Sequence, residues 1–218
     1  MSAFRYTRPD NFPPILKNLI IINVLVFLAQ QFMGDKFSLP GAEPLGLTGL
    51  LGLWPINSQF FRPYQIVTHM FAHGSWTHIF FNMFVLWMFG RVLENVWGGK
   101  KFLIFYLVCG LGAAAAHLGV QYFTDPLFLS PAIGASGAIM GVMAAFAYLF
   151  PNTELYIMFI PIPVKAKWAV LGYVAVDLFT GISSFKGDNV AHFAHLGGAL
   201  TGFILVFIWN KTNRRKFY

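Results

Sequence analysis

Six long apolar segments alternate with polar or glycine- and proline-rich stretches along the chain. The segments are approximately 16–32, 76–93, 101–122, 136–150, 164–181 and 191–210. A helix needs about 20 mostly apolar residues to cross a hydrocarbon core about 30 Å thick, and all but the fourth segment come near that length. The pattern therefore predicts an all-α membrane protein with six transmembrane helices.

The fourth apolar segment is short. It runs from Ser136 to Phe150 and is stopped by Pro151. A helix of that length covers about 22 Å, so its outer end should begin roughly 8 Å below the outer surface if its inner end reaches the inner one. Non-helical backbone at such a depth must be buried in protein or line a wet cavity. We therefore predict a submerged fourth helix, with Ser136 at its N-terminus on the floor of an aqueous depression.

Composition agrees with a membrane protein and excludes an ordinary soluble domain. The 218 residues are 57% hydrophobic and 11% charged, with a mean hydropathy of +0.62, whereas a soluble domain is about 25% charged. The single cysteine, Cys109, cannot form a disulfide framework, and we expect it to pack in an apolar run. We predict one domain over residues 16–210, preceded by a cytoplasmic segment, 1–15, and followed by a basic tail, 211–218.

The positive residues fall on one side of the predicted topology. If the N-terminus is inside, twelve of the fifteen Lys and Arg residues are also inside, and the three outside are Lys36, Arg62 and Lys186. Both termini are therefore predicted to be cytoplasmic, and we expect a bacterial inner (plasma) membrane location. This bias explains the net charge of +7, so no nucleic-acid partner is expected. The basic tail either lies against anionic lipid or serves as a stop-transfer flank, and the sequence favours the two equally.

The first outer loop, about 33–75, is long, poor in charge and rich in apolar residues. A structureless loop of this length is uncommon. We predict short membrane-associated helices in it, with Trp54 as an anchor in the interface.

Polar side chains recur near the outer ends of three spans. His78 and Asn82 lie one turn apart on the second span, Ser136 begins the fourth, and His195 lies near the start of the sixth. These spans all run from outside to inside, so the four side chains share one depth. Small residues would let the fourth and sixth helices approach closely, namely Gly137, Gly141, Gly198 and Gly202.

Such an assembly suits amide hydrolysis. A serine hydroxyl needs a base, and His195 can take the proton of Ser136 and later protonate the leaving amine. The side chains of His78 and Asn82 and the backbone N–H of Ser136 are candidate donors to the oxyanion. Gly134 would allow a sharp turn before the serine. Tight helix packing is the alternative explanation of the small residues around Ser136.

Three motifs in this order resemble the rhomboid family of intramembrane serine proteases over about residues 62–202. They are His78-x-x-x-Asn82, Gly134-x-Ser136-Gly137 and Ala194-His195-x-x-Gly198, with Gly90-Arg91-Val92-Leu93-Glu94 as further support. The resemblance implies a six-helix core and a Ser136–His195 dyad without an acid, with His78 and Asn82 binding the oxyanion. It also implies that substrates are membrane-spanning helices cut near the outer boundary, admitted by a movable fifth span.

Four further residues near these motifs are given roles of their own. Met140 replaces an aromatic residue found in some relatives and should contact the imidazole of His195. Asp177 is expected to brace the outer end of the fifth span, with a third catalytic member as the alternative. His192 is assigned a hydrogen bond in the outer loop, and Glu94 is expected to pair with Arg91 at the inner face.

Other functions are weighed against proteolysis. His69 and His73 have helical metal-ligand spacing but lack a nearby acid or cysteine, so we assign them to folding of the first loop and expect no metal and no cofactor. A non-catalytic rhomboid-like protein that binds membrane helices remains the main alternative. A transporter or channel would instead place polar residues at the midplane and show an internal repeat.

Overall fold

The computed structural model describes residues 9–33, 45–124, 130–156, 162–183 and 189–212. The helices are α1 (Pro14–Met33), α2 (Gly46–Leu51), α3 (Gln65–Thr68), α4 (Trp76–Trp97), α5 (Gly99–Thr124), α6 (Ser136–Leu149), α7 (Ala166–Ser183) and α8 (Asn189–Thr212). A 3₁₀ turn, His69–Phe71, follows α3 directly. The six predicted spans correspond to α1 and α4 to α8. Parts of the predicted terminal segments, 1–8 and 213–218, lie outside the described residues.

Four of the helices are long and apolar enough to cross a membrane, and they are α1, α4, α5 and the 192–212 part of α8. The protein is therefore an integral, multi-pass membrane protein. Helix α6 has 14 residues, about 21 Å, which confirms that the fourth apolar helix is short. Helix α7 is not among the four, so the count of six spans stays a prediction.

Helices α4, α6 and α8 run in the same direction. At their N-terminal ends Ser136 of α6 contacts His195 of α8, and at their C-terminal ends Asn210 of α8 donates to the Tyr148 hydroxyl of α6 at 3.1 Å. The Phe89 ring of α4 packs edge-on against Phe146 of α6. This arrangement places the candidate polar residues at one end of the bundle.

Glycines bring α6 and α8 into backbone contact. A Cβ added to Gly141 would lie 2.9 Å from the carbonyl oxygen of Gly198, and one added to Gly202 would collide with the backbone of Gly141. Cys109 of α5 is buried in the core and also lies against Gly141. The predicted close approach of the fourth and sixth spans, and the packing role of the cysteine, are therefore confirmed.

The N-terminus of α1 is held by a carboxylate from α4. Glu94 is buried, and its two oxygens accept the backbone N–H groups of Ile15 and Leu16 at 2.9 and 2.6 Å. The first N–H groups of a helix lack carbonyl partners within the helix, and Glu94 satisfies two of them.

The predicted pairing of Glu94 with Arg91 is wrong. Arg91 lies over the Trp87 ring at 4.3 Å and donates to Asn11 at 3.3 Å. A buried backbone N–H group without a hydrogen-bond partner is costly, whereas the guanidinium of Arg91 can be hydrated, so the carboxylate of Glu94 binds the N–H groups of α1.

The first loop contains the predicted short helices, α2 and α3, but Trp54 is not an interfacial anchor. Trp54 is 2% exposed, donates its indole N–H to the Gly49 carbonyl at 2.7 Å and packs on Phe60. Inside the loop the apolar rings of the indole are removed from water and its N–H has a hydrogen-bond acceptor. The loop is tied to the segment before α6 through a backbone bridge between Leu53 and Ala132.

Two short strands between α6 and α7 were not predicted. Strand β1 (Glu154–Tyr156) pairs antiparallel with β2 (Pro163–Lys165), with Leu155 opposite Val164. Three residues per strand are too few for an alternating pattern to stand out in an apolar sequence.

Candidate active site

The chain turns sharply just before Ser136. Gly134 has a φ of +120°, which strongly favours glycine, and its N–H donates to the His69 carbonyl at 2.9 Å. Helix α6 begins at Ser136 itself, so the backbone N–H of this residue is in the first turn, where no helical carbonyl faces it. The predicted turn at Gly134 is confirmed.

His195 lies beside the serine. Its Nε2 is 2.8 Å from Ser136 Oγ, although the two residues are 59 positions apart in sequence. Both side chains are partly exposed. When the proton of the neutral imidazole is on Nδ1, Nε2 accepts the serine O–H, which is the arrangement a general base requires.

Asp177 of α7 contacts the other nitrogen of His195. Its carboxylate oxygens lie 3.2 and 3.3 Å from Nδ1 of His195, and one of them lies 2.7 Å from Nδ1 of His192. The sequence interpretation assigned His192 to the outer loop, whereas the structure pairs it with α7. Asp177 joins α7 to α8, as predicted for a bracing residue. Its partner on α8 is His195, the residue whose imidazole contacts Ser136.

The signal that points to Asp177 is its presence in an apolar segment. An ionisable side chain within such a segment is costly and normally has a partner. The sequence does not show that the partner is His195, because that depends on how α7 and α8 are rotated and shifted against each other.

His78 lies next to the serine turn, and Asn82 lies one helical turn further along α4 and lines the same cavity as Ser136. A Cβ on Gly134 would come within 2.8 Å of His78 Nε2, so the imidazole lies directly against this turn. Asn82 is buried, and its Nδ2 donates one N–H to the carbonyl oxygen of His78 at 2.9 Å. The amide has a second N–H for another acceptor.

An apolar cavity of about 770 Å³ extends from the Ser136–His195 pair along α6. It lies between α4, α6 and α7 and reaches Tyr156 of β1. Its lining includes all four of the predicted site residues, His78, Asn82, Ser136 and His195. Met140 lines the same cavity, and its expected contact with the imidazole of His195 stays a prediction.

His69 and His73 are buried in the first loop. The Nδ1 of His69 lies 2.9 Å from the Gln65 carbonyl oxygen. The backbone N–H of His73 donates to the side-chain oxygen of Gln30 at 3.0 Å. The pKa of each imidazole is lowered from 6.5 to about 4, mainly by burial and, at His73, also by the neighbouring His78. These hydrogen bonds within the first loop and to α1 are what a folding role requires.

The fold and site together define a helical multi-pass membrane protein with a serine–histidine pair at the end of a short apolar helix. A family model described as the rhomboid domain matches residues 60–212. The chain belongs to the rhomboid family, which includes serine proteases.

Similar proteins come from eukaryotic organelles. "Rhomboid protein 1, mitochondrial" of Saccharomyces cerevisiae is 30% identical over 138 residues, which cover 63% of this chain and 39% of that protein. "Presenilin-associated rhomboid-like protein A, mitochondrial" of Danio rerio is 34% identical over 156 residues, covering 69% and 40%. "Rhomboid-like protein 11, chloroplastic" of Arabidopsis thaliana is 28% identical over 213 residues, covering 88% and 64%.

The matched segments span only 39 to 64% of the length of these three relatives. Their names refer to mitochondria and chloroplasts, so they do not support the predicted bacterial inner membrane. The multi-pass membrane character of the chain does not depend on that assignment.

Proposed function

We propose that the chain is an intramembrane serine endopeptidase that cleaves transmembrane segments of other membrane proteins near the outer membrane boundary. Ser136 is the nucleophile and His195 is the general base. The observation that carries the proposal is the 2.8 Å contact between Ser136 Oγ and His195 Nε2 at the end of an apolar cavity.

In the first half of the reaction, Ser136 Oγ attacks the carbonyl carbon of the scissile peptide bond. His195 Nε2 takes the hydroxyl proton as the new C–O bond forms. The tetrahedral intermediate then collapses, the C–N bond breaks, and the imidazolium gives its proton to the leaving amine. The products of this step are an ester on Ser136 and the C-terminal fragment.

In the second half, water replaces the amine. His195 accepts a proton from the water as its oxygen attacks the ester carbonyl, and the imidazolium returns that proton to Ser136 Oγ as the ester bond breaks. The depression in which the serine is predicted to lie would supply this water from the aqueous side.

The negative oxygen of each intermediate needs hydrogen-bond donors. We propose that the backbone N–H of Ser136, the second N–H of Asn82 and a ring N–H of His78 supply them, which is supported by the position of His78 against Gly134 and by the shared cavity lining. The N-terminus of α6 adds a favourable dipole at the same point.

Asp177 acts as a positioning residue in this proposal. A neutral His195 that donates from Nδ1 to the carboxylate must present the lone pair of Nε2 to Ser136. The carboxylate also stabilises the imidazolium that forms during each proton transfer. This assignment adds an acid to the dyad that the family resemblance implies.

The cavity supports a membrane-spanning substrate. Its walls are mostly apolar side chains of α4, α6 and α7, including Phe81, Val85 and Val170, and it follows α6 away from the serine. A segment of substrate helix could lie there with its backbone unwound at the polar end. The bias of Lys and Arg supports an orientation with both termini cytoplasmic and the site facing outward.

The test is reconstitution of the purified full chain in liposomes with a single-span model substrate. Ser136→Ala and His195→Ala should each abolish cleavage without lowering the thermal unfolding temperature, and a fluorophosphonate probe should label the wild type but not Ser136→Ala. Ser130→Ala is the matched control, because Ser130 is an exposed serine of the same loop and should leave cleavage and labelling unchanged.

Two results would contradict the proposal. Cleavage by Ser136→Ala at the wild-type rate would exclude this serine as the nucleophile. A folded wild type that binds the substrate helix but neither cleaves it nor reacts with the probe would instead support the non-catalytic rhomboid-like alternative.

A further inference from the structure

The carboxylate of Asp177 lies between two imidazoles rather than beside one. One oxygen is 2.7 Å from Nδ1 of His192, and the other is 3.2 Å from Nδ1 of His195. The three ligand atoms all lie within 4.8 Å of one another. We infer that these residues bind a divalent metal ion of the Zn²⁺ class, and that the bound ion inhibits the catalysis proposed above.

The geometry is close to that of a three-ligand zinc site. Metal–ligand distances of about 2.0–2.1 Å in a tetrahedron separate neighbouring ligand atoms by roughly 3.3 Å. In the cluster the carboxylate oxygens lie 2.7 and 3.2 Å from the two Nδ1 atoms, and all three ligand atoms lie within 4.8 Å of one another, a spread that one ion can span. The fourth position would hold water, as in other sites with three protein ligands.

The charge of the cluster favours a cation. Asp177 is buried, and its ion-pair partners among the described residues are the two histidines, with no Lys or Arg within reach. A carboxylate in an apolar helix needs a positive partner. A protonated imidazole supplies one positive charge next to the carboxylate, whereas a divalent ion bound by neutral imidazoles supplies two.

The donor set selects the kind of metal. Imidazole nitrogens suit Zn²⁺, Cu²⁺ and Ni²⁺, whereas Mg²⁺ and Ca²⁺ prefer sites made of oxygen atoms alone. The side chains of His192 and His195 are 22% and 20% exposed, so an ion in the aqueous phase can reach them.

Inhibition follows from the two nitrogens of His195. In the arrangement needed for catalysis the proton is on Nδ1, and Nε2 accepts from Ser136. A metal binds Nδ1 through its lone pair, so the single proton of the neutral ring leaves Nδ1 for water and a proton is taken up from water at Nε2. The ring stays neutral, but its Nε2 can then only donate to the serine oxygen and can no longer remove the serine proton.

Binding is tested with Co²⁺ as a spectroscopic substitute for Zn²⁺ on the purified full chain in detergent. The wild type and Ser136→Ala should both develop the intense visible absorption of four-coordinate Co²⁺, because the serine is not a ligand. His192→Phe, His192→Gln and Asp177→Asn should each weaken Co²⁺ binding by more than about tenfold, since even loss of a residue that only supports a ligand costs about that much. His73→Phe removes a histidine outside the cluster and should leave the absorption intact.

Inhibition is tested with Zn²⁺ in the liposome cleavage assay, each variant being compared with its own activity in a chelator. Zn²⁺ should inhibit the wild type reversibly, and His192→Phe should need more than about tenfold more Zn²⁺ for the same inhibition. The unfolding temperatures of all variants identify any that fail to fold. If one of the two His192 variants fails to fold, the other is used for the comparison.

The outcomes separate this inference from the proposed function. Absence of the four-coordinate spectrum in the wild type, or its full retention in folded His192 variants, would overturn the metal site. Metal binding without any loss of cleavage would refute the competition for His195. A chain that cleaves no substrate would refute the proposed function, while the Co²⁺ measurement on Ser136→Ala would still decide the site.

Discussion

Gly198 of α8 lies so close to the carbonyl group of Gly137 on α6 that no side-chain carbon fits between them. Gly137 directly follows the candidate nucleophile, and Gly198 lies one turn after the candidate base. The contact between these two glycines therefore sets the separation of Ser136 and His195. Packing of backbone on backbone gives this distance little freedom to vary.

Replacing Gly198 with alanine should push α8 away from α6. We expect destabilisation by about 1–3 kcal/mol or more, because the new carbon meets backbone atoms that cannot rotate away, together with a large loss of cleavage. Thermal unfolding in detergent and the liposome assay measure both effects. Gly172→Ala on α7 is the matched control, since no atom lies within 4 Å of the new carbon, and it should be neutral or stabilising.

Gly134→Ala should reduce activity through the turn before the serine. The residue has a φ of +120°, and an added Cβ would lie 2.8 Å from Nε2 of His78. We expect backbone strain of about 1–3 kcal/mol and a displaced His78, measured as a lower unfolding temperature and a lower kcat. Gly74→Ala places its carbon 3.4 Å or more from its neighbours, and equal damage from that change would contradict this explanation.

Asp177→Asn should lower kcat by at least about tenfold with little change in KM, because general-base catalysis contributes about 10² to 10⁴ and depends on the orientation of His195. Asp177→Glu should recover part of the rate. The diagnostic readout is the lowered kcat at an unchanged KM and an unchanged unfolding temperature, since a merely structural role of Asp177 would lower the unfolding temperature as well. Retention of nearly full activity by the folded Asp177→Asn variant would restore the dyad without an acid.

Acidification should destabilise the first loop through its buried histidines. The folded pKa of His73 is about 4 and its ordinary value is 6.5, so the unfolded chain binds more protons between these values and stability is lost as the pH falls through them. By about pH 5 the loss at His73 should be roughly 2 kcal/mol.

His73→Phe tests this because phenylalanine cannot be protonated. The unfolding temperature of the variant, measured in detergent between about pH 7 and pH 5, should fall less steeply than that of the wild type. Identical slopes for the two proteins would show that His73 does not contribute. His69, whose folded pKa is also about 4, should behave in the same way.

Features that depend on one helix were predictable from the sequence. The short fourth helix follows from the distance between Ser136 and Pro151, and the turn at Gly134 follows from the freedom of glycine. The meeting of Ser136 with His195 was predictable because matched spans place both residues at one depth and glycines permit close approach.

Features that depend on the rotation of one helix against another were not predictable. Glu94 could pair with Arg91 on its own helix or with the N-terminus of α1, and only the packing of α1 decides between them. The contact of Asp177 with two histidines likewise depends on how α7 faces α8. Trp54 is compatible with an interface or with a folded loop, and the choice depends on partners distant in sequence.

The carboxylate at the start of α1 has a consequence for biogenesis. Ile15 and Leu16 leave the ribosome 79 and 78 residues before Glu94, the side chain that completes the beginning of their helix. Until Glu94 has been synthesised, the first transmembrane segment therefore lies in the translocon or the lipid with the N–H groups of Ile15 and Leu16 bonded to water or headgroups instead. Its final seating is a late event that depends on insertion of the segment containing Glu94.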